Sequence, residues 1–455
     1  MATLNAGSGA DGNATVSANK NISTESLVGR GYADMISYNC SSIGSNSCVA
    51  TVAPDGIAIG DEILLINLQG ITGDYGNVGN YETFIVDDVS GTTITFATSK
   101  TKNYGNGSGD TNIGILTTNQ RVMVQRVPQY ADLTIDNGFT LSCDVFDKLK
   151  GGVLFFRTSG TLTNNGTIFT LGIGNKGGYS QPSEDYEGEK GDSLITSPGL
   201  GIARNLGGGG GGGTSQSKGW GGGGGGYGTA AADVTTGGNA QGGTTYGETT
   251  LSGSIYLGSG GGGGGHSHYG GGNGNPPGGK GGGIVAIFTT TLHNYGTIDC
   301  DGQTPPNGTG STGGAGGGSG GSILIHAGTW WSHSSSTTAD GGLHMITGTA
   351  EIGTDGGDGR ISIHYATLGD GLTGVSPTPY TDDTLELPYN ISGTASADCT
   401  VRIYDASWSF VKSQAVSAGA YQISNLPSAG PFNVVSDPDS GSTNIISYKG
   451  VTPSQ

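Results

Sequence analysis

Basic residues and long apolar runs are both scarce in this chain of 455 residues. Its 18 lysines and arginines are outnumbered by 36 aspartates and glutamates, which gives a formal net charge of −18. No cluster of lysine and arginine occurs, which argues against binding to DNA, RNA or an anionic membrane through charge. No stretch approaches the roughly 20 apolar residues of a membrane span. We therefore expect no nucleic-acid partner and no membrane insertion, and the acidity is explained by solubility.

A targeting signal is also missing from the start of the chain. Residues 1–20 contain no basic segment followed by an apolar one, so no cleaved secretory signal is expected. We expect a protein that is soluble as made and that leaves a cell, if it does, by another route.

Catalytic motifs are absent as well. The sequence has no G-x-S-x-G elbow, no H-E-x-x-H and no P-loop lysine after a glycine run. Two adjacent carboxylate pairs occur, Asp87–Asp88 and Asp382–Asp383. Neighbours on a strand point to opposite faces, so these pairs are better explained as solvated turn residues. We expect no enzymatic activity and no cofactor.

The five cysteines form no metal-binding pattern. Cys40 and Cys48 flank the polar loop SSIGSNS and are a candidate disulfide across a hairpin, while the other three resemble small buried hydrophobic residues. In DPDSGSTN, Asp437, Asp439 and Asn444 offer oxygen ligands for Ca²⁺, but an acidic turn is the favoured interpretation.

What the chain does contain is the pattern of an all-β protein. Helical periodicity is almost absent, and short β-branched and aromatic runs alternate with turn residues. Examples are EILLINLQG, YETFIVDDVSGTTITFATS and NQRVMVQRVPQY. These runs predict one β domain over residues 1–135, either a barrel or a sandwich.

An internal repeat follows this first domain. Similar segments begin at Gly151, Gly282, Gly321 and Gly359 with GGVLFFRTSGTL, GGIVAIFTTTLHN, GSILIHAGTWWS and GRISIHYATL. When Val153, Ile284, Ile323 and Ile361 are aligned, the last two steps are nearly equal and the first is longer by an insertion. Short strands joined by small-residue corners at a fixed period predict a β-helix-like solenoid over 136–370, with a sandwich of similar hairpins as the alternative.

Glycine dominates an insertion in this solenoid, residues 173–281. The chain has 94 glycines, with runs at 207–213, 221–226 and, interrupted by one serine, 258–265. Such composition usually indicates disorder. These runs, however, are of similar length and are anchored at both ends in predicted strands. Polyglycine II helices packed side by side explain them, because any Cβ would occupy the space of the neighbouring chain.

The amino-acid composition changes again after Leu368. Residues 371–388 carry Pro, Thr and Asp and are predicted to be a linker. Residues 389–455 contain alternating strand patterns such as TVRIYD, AYQISNL and FNVVSD, which predict a C-terminal β-sandwich.

Receptor-contact candidates lie at the ends of the glycine runs. His266, His268 and Tyr269 form HSHY, which is a candidate contact loop, a metal pair without a third ligand, or a solvated turn. Trp220 and Tyr227 bracket the run 221–226. Their rings could stack on a sugar, but packing against the glycine helices is the favoured interpretation.

Three parts of the chain resemble known proteins. Residues 60–170, from GDEILLINLQG to GTLTNNGTI, resemble the start of large glycine-rich bacterial surface proteins, including a family associated with gliding motility, and ADGG…GGDGRISIHY is similar to a glycine-rich β-helix segment of such proteins. The C-terminal ISGTAS…GAYQISNLPSAGPFNVV…SYKGVTP resembles a carboxypeptidase-regulatory-like sandwich, which also occurs near the ends of phage structural proteins. The glycine runs resemble the polyglycine-helix bundles of phage tail-tip adhesins, in which the loops between helices contact the bacterial receptor.

Together these features predict a structural virion surface protein, a phage tail fibre or other appendage located on the virion surface. Its expected partners are other virion or surface proteins and a host glycan or outer-membrane protein. A homo-oligomer is expected because solenoid ends expose strand edges. The alternative is an extracellular bacterial or archaeal cell-surface protein that assembles into a filament or matrix. A polysaccharide-degrading β-helix would require three or more acidic residues on one rung face, and no such cluster is evident in the sequence.

Overall fold

The computed structural model describes most of the chain. The described residues are 3–180, 187–197, 199–213, 219–235, 239–266, 277–306, 313–345, 352–387, 389–395, 399–404, 410–417, 419–426, 432–438 and 446–451. They belong to two compact units, one of Ala6–Asp382 and one of Met1–Asn5 with Asp383–Gln455. Within these ranges every regular secondary-structure element is a β-strand, which confirms the predicted all-β class.

The larger unit is organised around a β-solenoid of two parallel sheets, in which strands are numbered in chain order. The long strands, in sheet order, are β1 (Gly12–Val16), β9 (Gln129–Ile135), β11 (Val153–Asn164), β13 (Ile284–Asn294), β15 (Ser322–Ser332), β17 (Arg360–Leu368) and β19 (Tyr380–Asp382). The short strands, in sheet order, are β2 (Lys20–Asn21), β10 (Thr140–Ser142), β12 (Thr167–Phe169), β14 (Thr297–Asp299), β16 (Ser336–Thr338) and β18 (Val375–Ser376). Each of the first six rungs therefore supplies one strand to each sheet, and β19 adds a seventh strand to the first sheet, an arrangement that fits a β-helix-like fold.

The solenoid extends further than the sequence predicts at both ends. Its first two rungs lie within 12–21 and 129–142, although residues 1–135 were expected to form a separate domain. Its last strands lie within 375–382, inside the expected linker 371–388. These rungs lack the glycine followed by four or five strand formers that marks the others, so the repeat does not reveal them.

The register of the rungs also corrects the sequence alignment. Val153 pairs with Ile284 as aligned, but Ile323 pairs with Val285 and Ile361 pairs with Ile323. The alignment of Ile323 and Ile361 with Ile284 is therefore wrong by one residue. Alternate residues of a strand face opposite sides of the sheet, so one residue decides the face. Val285, Ile323 and Ile361 lie in the solenoid core, whereas Val153 and Ile284 lie on the outer face.

A closed barrel of six antiparallel strands is inserted between β2 and β9. Its strands are β3 (Ser37–Ile43), β4 (Ser47–Ala50), β5 (Glu62–Gln69), β6 (Tyr81–Ser90), β7 (Thr93–Phe96) and β8 (Arg121–Arg126). Leu64, Ile66 and Met123 on its outside pack against Val153 and Ile284 of the solenoid. This explains why every residue of β5 is buried: one face fills the barrel and the other contacts the long sheet.

Buried ion pairs join the barrel to the solenoid, and the pair between Arg157 and Glu62 is the less exposed of two in the described residues. Arg157 of β11 donates from Nε and Nη2 to the two carboxylate oxygens of Glu62 in β5, at 2.7 and 2.6 Å. Both side chains are only 4% exposed. A two-point bond between planar groups fixes orientation as well as distance. The ion pair therefore helps to set how the barrel sits on the solenoid.

The disulfide expected between Cys40 and Cys48 is not formed, and both residues are buried free thiols inside the barrel. Cys40 lies opposite Ala50, and Cys48 lies opposite Ile43. A hydrogen bond with the Cys48 side chain and burial together raise the pKa of Cys40 well above its usual value. These thiols therefore contribute to the core as small apolar side chains.

The glycine-rich segments form the third side of the solenoid. The segments are 174–178, 188–192, 207–213, 219–226, 258–265, 278–283, 313–321 and 353–359, which we call the glycine bundle. Three of them lead directly into long strands, because Gly283, Gly321 and Gly359 precede β13, β15 and β17. The glycine bundle is therefore continuous with the rungs rather than tethered to them.

The segment 258–265 shows how the glycine bundle is bonded, since six other segments surround it. Its N–H groups donate to three of these segments. Gly260 and Gly263 donate to Asp192 and Glu189 of segment 188–192, both at 2.9 Å, and Gly258 and Gly261 donate to Gly282 and Gly279 of segment 278–283, both at 2.9 Å. Gly262 and Gly265 donate to Gly223 and Trp220 of segment 219–226, at 2.8 and 3.0 Å. Its carbonyls accept from the other three: Gly260 and Gly263 from Gly209 and Gly212, Gly258 and Gly261 from Asn175 and Gly178, and Gly262 and Gly265 from Gly316 and Gly313. Each neighbour is met at every third residue, which is the period of a polyproline II-type helix.

The smaller unit consists of antiparallel strands in two sheets. They are β20 (Tyr389–Ala395), β21 (Cys399–Tyr404), β22 (Phe410–Val416), β23 (Gly419–Leu426), β24 (Phe432–Pro438) and β25 (Ile446–Val451). β20 pairs with β23, and the order of the second sheet is β22-β21-β24-β25. Val401, Ile403, Ile423, Leu426 and Val434 are buried in its core. Two antiparallel sheets that share a core are the arrangement of a sandwich.

Candidate functional site

The strongest candidate site is the end of the glycine bundle that lies away from the strands. It is formed by the described residues on either side of five segments that lie outside the described ranges, namely 181–186, 214–218, 267–276, 307–312 and 346–351, and we call this region the loop end. The bonds that join the residues flanking these loops are Trp220 N–H to Gly213 O (3.0 Å), Gly265 N–H to Trp220 O (3.0 Å), Gly313 N–H to Gly265 O (3.1 Å), Met345 N–H to Ala315 O (3.1 Å) and Glu189 N–H to Tyr179 O (2.8 Å). The structure thus brings together loop origins that are widely separated in sequence.

The loop end combines polar sequence segments with exposed apolar side chains. The five segments read QPSEDY, TSQSK, SHYGGGNGNP, NGTGST and ITGTAE. Beside them, Tyr179, Leu343 and Ile352 are 49, 63 and 48% exposed, and Trp220 is half-buried. Tyr, Ser, Gly and Asn combined with a few apolar anchors are typical of protein recognition loops.

Two of the predicted contact residues are not at the surface. Tyr227 is fully buried, where its hydroxyl shares a 2.8 Å hydrogen bond with Ser322 and its ring packs on Tyr246 and Tyr256. Burial raises its pKa far above the usual value. His266 is only 3% exposed. Tyr227 is thus packed in the interior, as the favoured interpretation had it, and His266 is too buried to present its ring to a receptor.

The remaining predicted site residues are less informative. Trp220 retains partial exposure at the loop end. His268, Tyr269, Asp439 and Asn444 lie outside the described residues, and Asp437 is placed only as part of β24. Within the described ranges, no group of three or more His, Cys, Asp or Glu side chains is arranged to hold a metal ion. The same ranges contain no helix that is long and apolar enough to cross a membrane.

A group of three aspartates, which sequence reasoning missed, lies beside the short sheet. Asp299 ends β14, Asp301 follows it, and Asp340 follows β16 on the next rung. The backbone N–H of Asp340 donates to Asp301 Oδ1 at 2.7 Å, and that of Asp301 donates to Asp299 Oδ1 at 2.9 Å. Burial, together with the neighbouring carboxylates, raises the pKa of Asp301 to about 6. The three aspartates belong to two successive rungs, so they are not the group of three on one rung face that a polysaccharide-degrading β-helix was expected to need.

A sequence signal for this cluster was present in the repeat. Asp301 and Asp340 occupy equivalent positions on successive rungs, one period of the solenoid apart. A carboxyl that titrates near pH 6 can both accept and donate a proton under neutral conditions. The bonds to backbone N–H groups also tie successive rungs together, which gives the same residues a structural role.

A serine, a histidine and an aspartate on β17 and β19 have the residue types of a hydrolase triad. His364 Nε2 lies 3.0 Å from Ser362 Oγ, and its Nδ1 lies 3.4 Å from Asp382 Oδ2. Ser362, however, is completely buried, and its hydroxyl donates to the Thr250 carbonyl at 2.7 Å. A nucleophile must reach its substrate. This serine cannot, so the arrangement supports packing of the solenoid rather than acyl transfer.

Aromatic rings are also layered on the solenoid surface. Tyr295 lies 4.7 Å from His333 on the next rung with an angle of 10° between the rings, and His293 lies beside Trp331 at 6.1 Å and 11°. Neighbouring Trp330 is fully buried in the core. Rings on successive rungs cover one another's faces, so the layers mainly support the rung stack.

The geometry thus defines an all-β chain in which a parallel solenoid carries a hydrogen-bonded glycine bundle with one loop-bearing end. No family model matches the chain, and no curated protein matches it.

Three phage tailspikes are among the similar solved structures. The chain is similar to the tailspike gp49 of Pseudomonas phage LKA1, with 10% identity over 91% of this chain and 80% of that chain and a TM-score of 0.16. It is similar to the tailspike gp61 of Pseudomonas phage phi297, with 11% identity over 92% and 83% and a TM-score of 0.14. The third is the Gp54 tailspike of Acinetobacter baumannii bacteriophage AP22 in complex with a capsular saccharide, with 10% identity over 80% and 68% and a TM-score of 0.15. Scores this low assign no function to this chain.

Proposed function

We propose that this protein is a structural component of a virion surface appendage, of the tail-fibre type, and that it adheres to the host through the loop end. The observation that carries the proposal is the convergence, at one end of the glycine bundle, of the described residues that flank five sequence segments. The flanking residues of these loops are fixed by backbone hydrogen bonds of 2.8 to 3.1 Å. The mechanism is the display of a preorganised surface, without covalent chemistry.

Rigidity of the support is what makes such a surface effective. A loop held at both ends by a bonded scaffold loses less conformational freedom on binding than a free loop does. In the glycine bundle each central amide has a partner on a neighbouring segment, so the loop origins keep fixed spacings. The polar loops can then provide specificity while Tyr179, Leu343 and Ile352 provide apolar anchors.

The other parts of the chain suit assembly. The long sheet ends in β1 and β19, and an edge strand presents backbone groups that can pair with another chain. The barrel and these edges would connect the protein to other virion components or to further copies of itself. The host partner would be a surface glycan or an outer-membrane protein.

The proposal is tested by adsorption of the purified full chain to candidate host cells. Replacing SHY at 267–269 with GSG, and separately TSQSK at 214–218 with GSGSG, should reduce adsorption at least about tenfold, since hot-spot residues carry most of the binding energy. The matched control is Ile115→Ser with Leu116→Ser, which changes two exposed residues of the barrel. Equal adsorption of the loop variants and the unmodified chain would refute contact through the loop end.

The alternative is a bacterial or archaeal cell-surface protein that assembles into an extracellular filament or matrix. Neighbouring genes separate the two cases, because capsid and tail genes beside this one support the virion role. Spontaneous growth of the purified chain into filaments, combined with adsorption to no host cell, would favour the alternative.

One observation favours a second activity, cleavage of a polysaccharide on the solenoid. Asp301, with its raised pKa, lies next to Asp299 and Asp340 as acidic groups of such enzymes do. Asp301→Asn should then abolish the release of reducing ends from host capsule while leaving adsorption unchanged. If the unmodified chain releases no reducing ends, the aspartates have only the structural role described above.

A further inference from the structure

We propose that a polar cavity on the side of the glycine bundle binds one hydroxyl-rich sugar unit of a glycan. The cavity has a volume of about 210 Å³ and lies where the turn before β11 meets two glycine-bundle segments. Its charged and aromatic lining consists of Lys148, Lys176, Tyr179, Glu189, Lys190 and Asp192. The inference rests on the proposed function in taking the host ligand to be a glycan. The cavity borders the loop end and shares Tyr179 with it, so Lys176→Gln and Glu189→Gln are the variants that distinguish the two statements.

Positive charge is concentrated here in a chain that has very little of it. Three of the chain's eleven lysines line this one cavity. The ammonium group of Lys176 lies over the ring of Tyr179, 3.7 Å from its centroid, and also donates to the Tyr179 hydroxyl. Each ammonium has three N–H donors, which these contacts do not exhaust. The cavity therefore offers several donors to a ligand.

Acceptors stand opposite these donors. Asp192 is 2% exposed; its Oδ1 accepts the Ser197 N–H at 2.6 Å, and its Oδ2 lies 2.9 Å from the Lys148 Nζ. No further hydrogen bond reaches Asp192 Oδ2 in the described residues. The Lys148 ammonium compensates the charge of this buried carboxylate, so Asp192 holds Lys148 at the cavity wall. Glu189 adds a second carboxylate to the lining.

The backbone of Lys148 adopts a φ of 76°. Residues other than glycine seldom occupy that left-handed region. The turn is held by Asp147, whose Oδ1 accepts the N–H groups of Leu149 and Lys150, both at 2.8 Å. A strained lysine directed towards a buried carboxylate at a cavity wall fits a site built for a ligand rather than a surface ion pair.

The mixed charge selects the ligand class. A phosphate or sulfate would be attracted by the lysines but repelled by Glu189 and Asp192. A sugar hydroxyl accepts from an ammonium and donates to a carboxylate at the same time, so adjacent hydroxyls satisfy both kinds of group. Tyr179, which is 49% exposed, adds an aromatic ring and a hydroxyl at the rim. The volume holds one pyranose ring, which fits a single unit of a longer glycan.

The test measures binding of three probes to the full chain, namely the methyl α-glycosides of glucose, galactose and mannose. Saturation-transfer NMR detects the binding, and titration gives the affinity. At least one should bind, and Glu189→Gln, Lys176→Gln and Tyr179→Leu should each weaken it about tenfold, the loss expected when a hydrogen bond to a charged group or a stacking contact is removed. Tyr75→Leu, a 37% exposed tyrosine of the barrel, is the matched control and should change nothing. These four positions are partly exposed, so the variants should fold.

Three outcomes would overturn the inference: no probe binds, the three variants bind as the unmodified chain does, or inorganic phosphate binds in place of the sugars. The outcome is separable from that of the proposed function. Variants of the cavity that lose sugar binding but still adsorb through the loops leave both statements standing. Loop variants that adsorb normally refute the loop end and leave the cavity untouched.

Discussion

Adding one methyl group at the centre of the glycine bundle should disrupt it, and Gly262→Ala is the most direct way to do so. Gly262 lies in the segment that six others surround. Its N–H donates to Gly223 O at 2.8 Å, and its carbonyl accepts the Gly316 N–H at 2.9 Å. A Cβ at this position would lie 1.9 Å from the carbonyl oxygen of Gly210 and 2.5 Å from its carbon.

The magnitude follows from what would have to move. Real Cβ atoms essentially never approach another heavy atom within 3.0 Å, so Gly210 would have to retreat by more than 1 Å. Gly210 is itself held, because it donates to Gln241 and accepts from Gly223, both at 2.8 Å. Overpacking of this kind costs about 1–3 kcal/mol, and two weakened hydrogen bonds cost about 0.5–1.5 kcal/mol each. Replacing glycine restores about 0.4–1 kcal/mol through the unfolded chain. The expected net loss is about 1–6 kcal/mol.

Hydrogen exchange on the full chain, read by mass spectrometry, locates the effect. In the unmodified protein, amides of 207–213 and 221–226 should exchange slowly, because they donate to carbonyls of neighbouring segments. Gly262→Ala should accelerate exchange in both runs and leave the barrel unchanged. The control is Gly76→Ala, since a methyl group added at Gly76 would meet no atom within 4 Å. Fast exchange of the runs in the unmodified protein, or equal profiles for the two variants, would refute the packed bundle.

Three further predictions concern buried charge. Asp301→Asn should raise the unfolding temperature at pH 8 and leave it unchanged at pH 4. In the folded protein the pKa of Asp301 is raised from 3.8 to about 6, so the protonated carboxyl contributes its full stabilisation at low pH, and this contribution is lost as the pH rises through 6. Solvent screening limits this gain to about 1 kcal/mol. His326 is the opposite case. Burial and the neighbouring His364 lower its pKa from 6.5 to about 3, so the stability of the folded state, complete above pH 6.5, falls as the pH drops towards 3. His326→Phe should reduce this fall in unfolding temperature in a thermal-shift series from pH 7 to 4. Arg157→Met should cost about 3–5 kcal/mol in urea unfolding by leaving Glu62 buried and unpaired. Adding Glu62→Gln should recover part of this loss, and equal losses in the single and double variants would contradict the account.

The class of fold was predictable because its signals are local. A nearly constant period between glycine-led apolar runs marks the rungs that contain Ile284, Ile323 and Ile361, whatever surrounds them. The rungs at 12–21 and 129–142 were not predictable in this way. They are recognisable only by pairing with β11, and the barrel separates them in sequence. Similarly, the one-residue error in register arose because β13 and β15 are apolar on both faces, so alternation does not mark the inner side.

The candidate site was less predictable, for a physical reason. Tyr227 and His266 border glycine runs that were expected to be packed helices. The sequence does not show which distant segments lie beside the end of a run, so it does not separate a covered end residue from an exposed one. The cavity near Lys148 has no sequence signature at all, since its lining comes from a turn of the solenoid and from two glycine-bundle segments.

Glycine composition and function are linked by the same geometry. At Gly260, Gly262 and Gly264 an added Cβ would lie 2.1, 1.9 and 2.0 Å from a backbone oxygen of another segment, so side chains have no room inside the glycine bundle. Chemical variety must therefore be located where the packing ends, at the outer segments and at the loops. The loop end fixes the described residues that flank five polar segments, and the cavity beside Lys148 is lined by side chains of the outer segments. Glycine at the packed positions and larger side chains at the margins are thus two consequences of one packing rule, and the second is what the proposed recognition role requires.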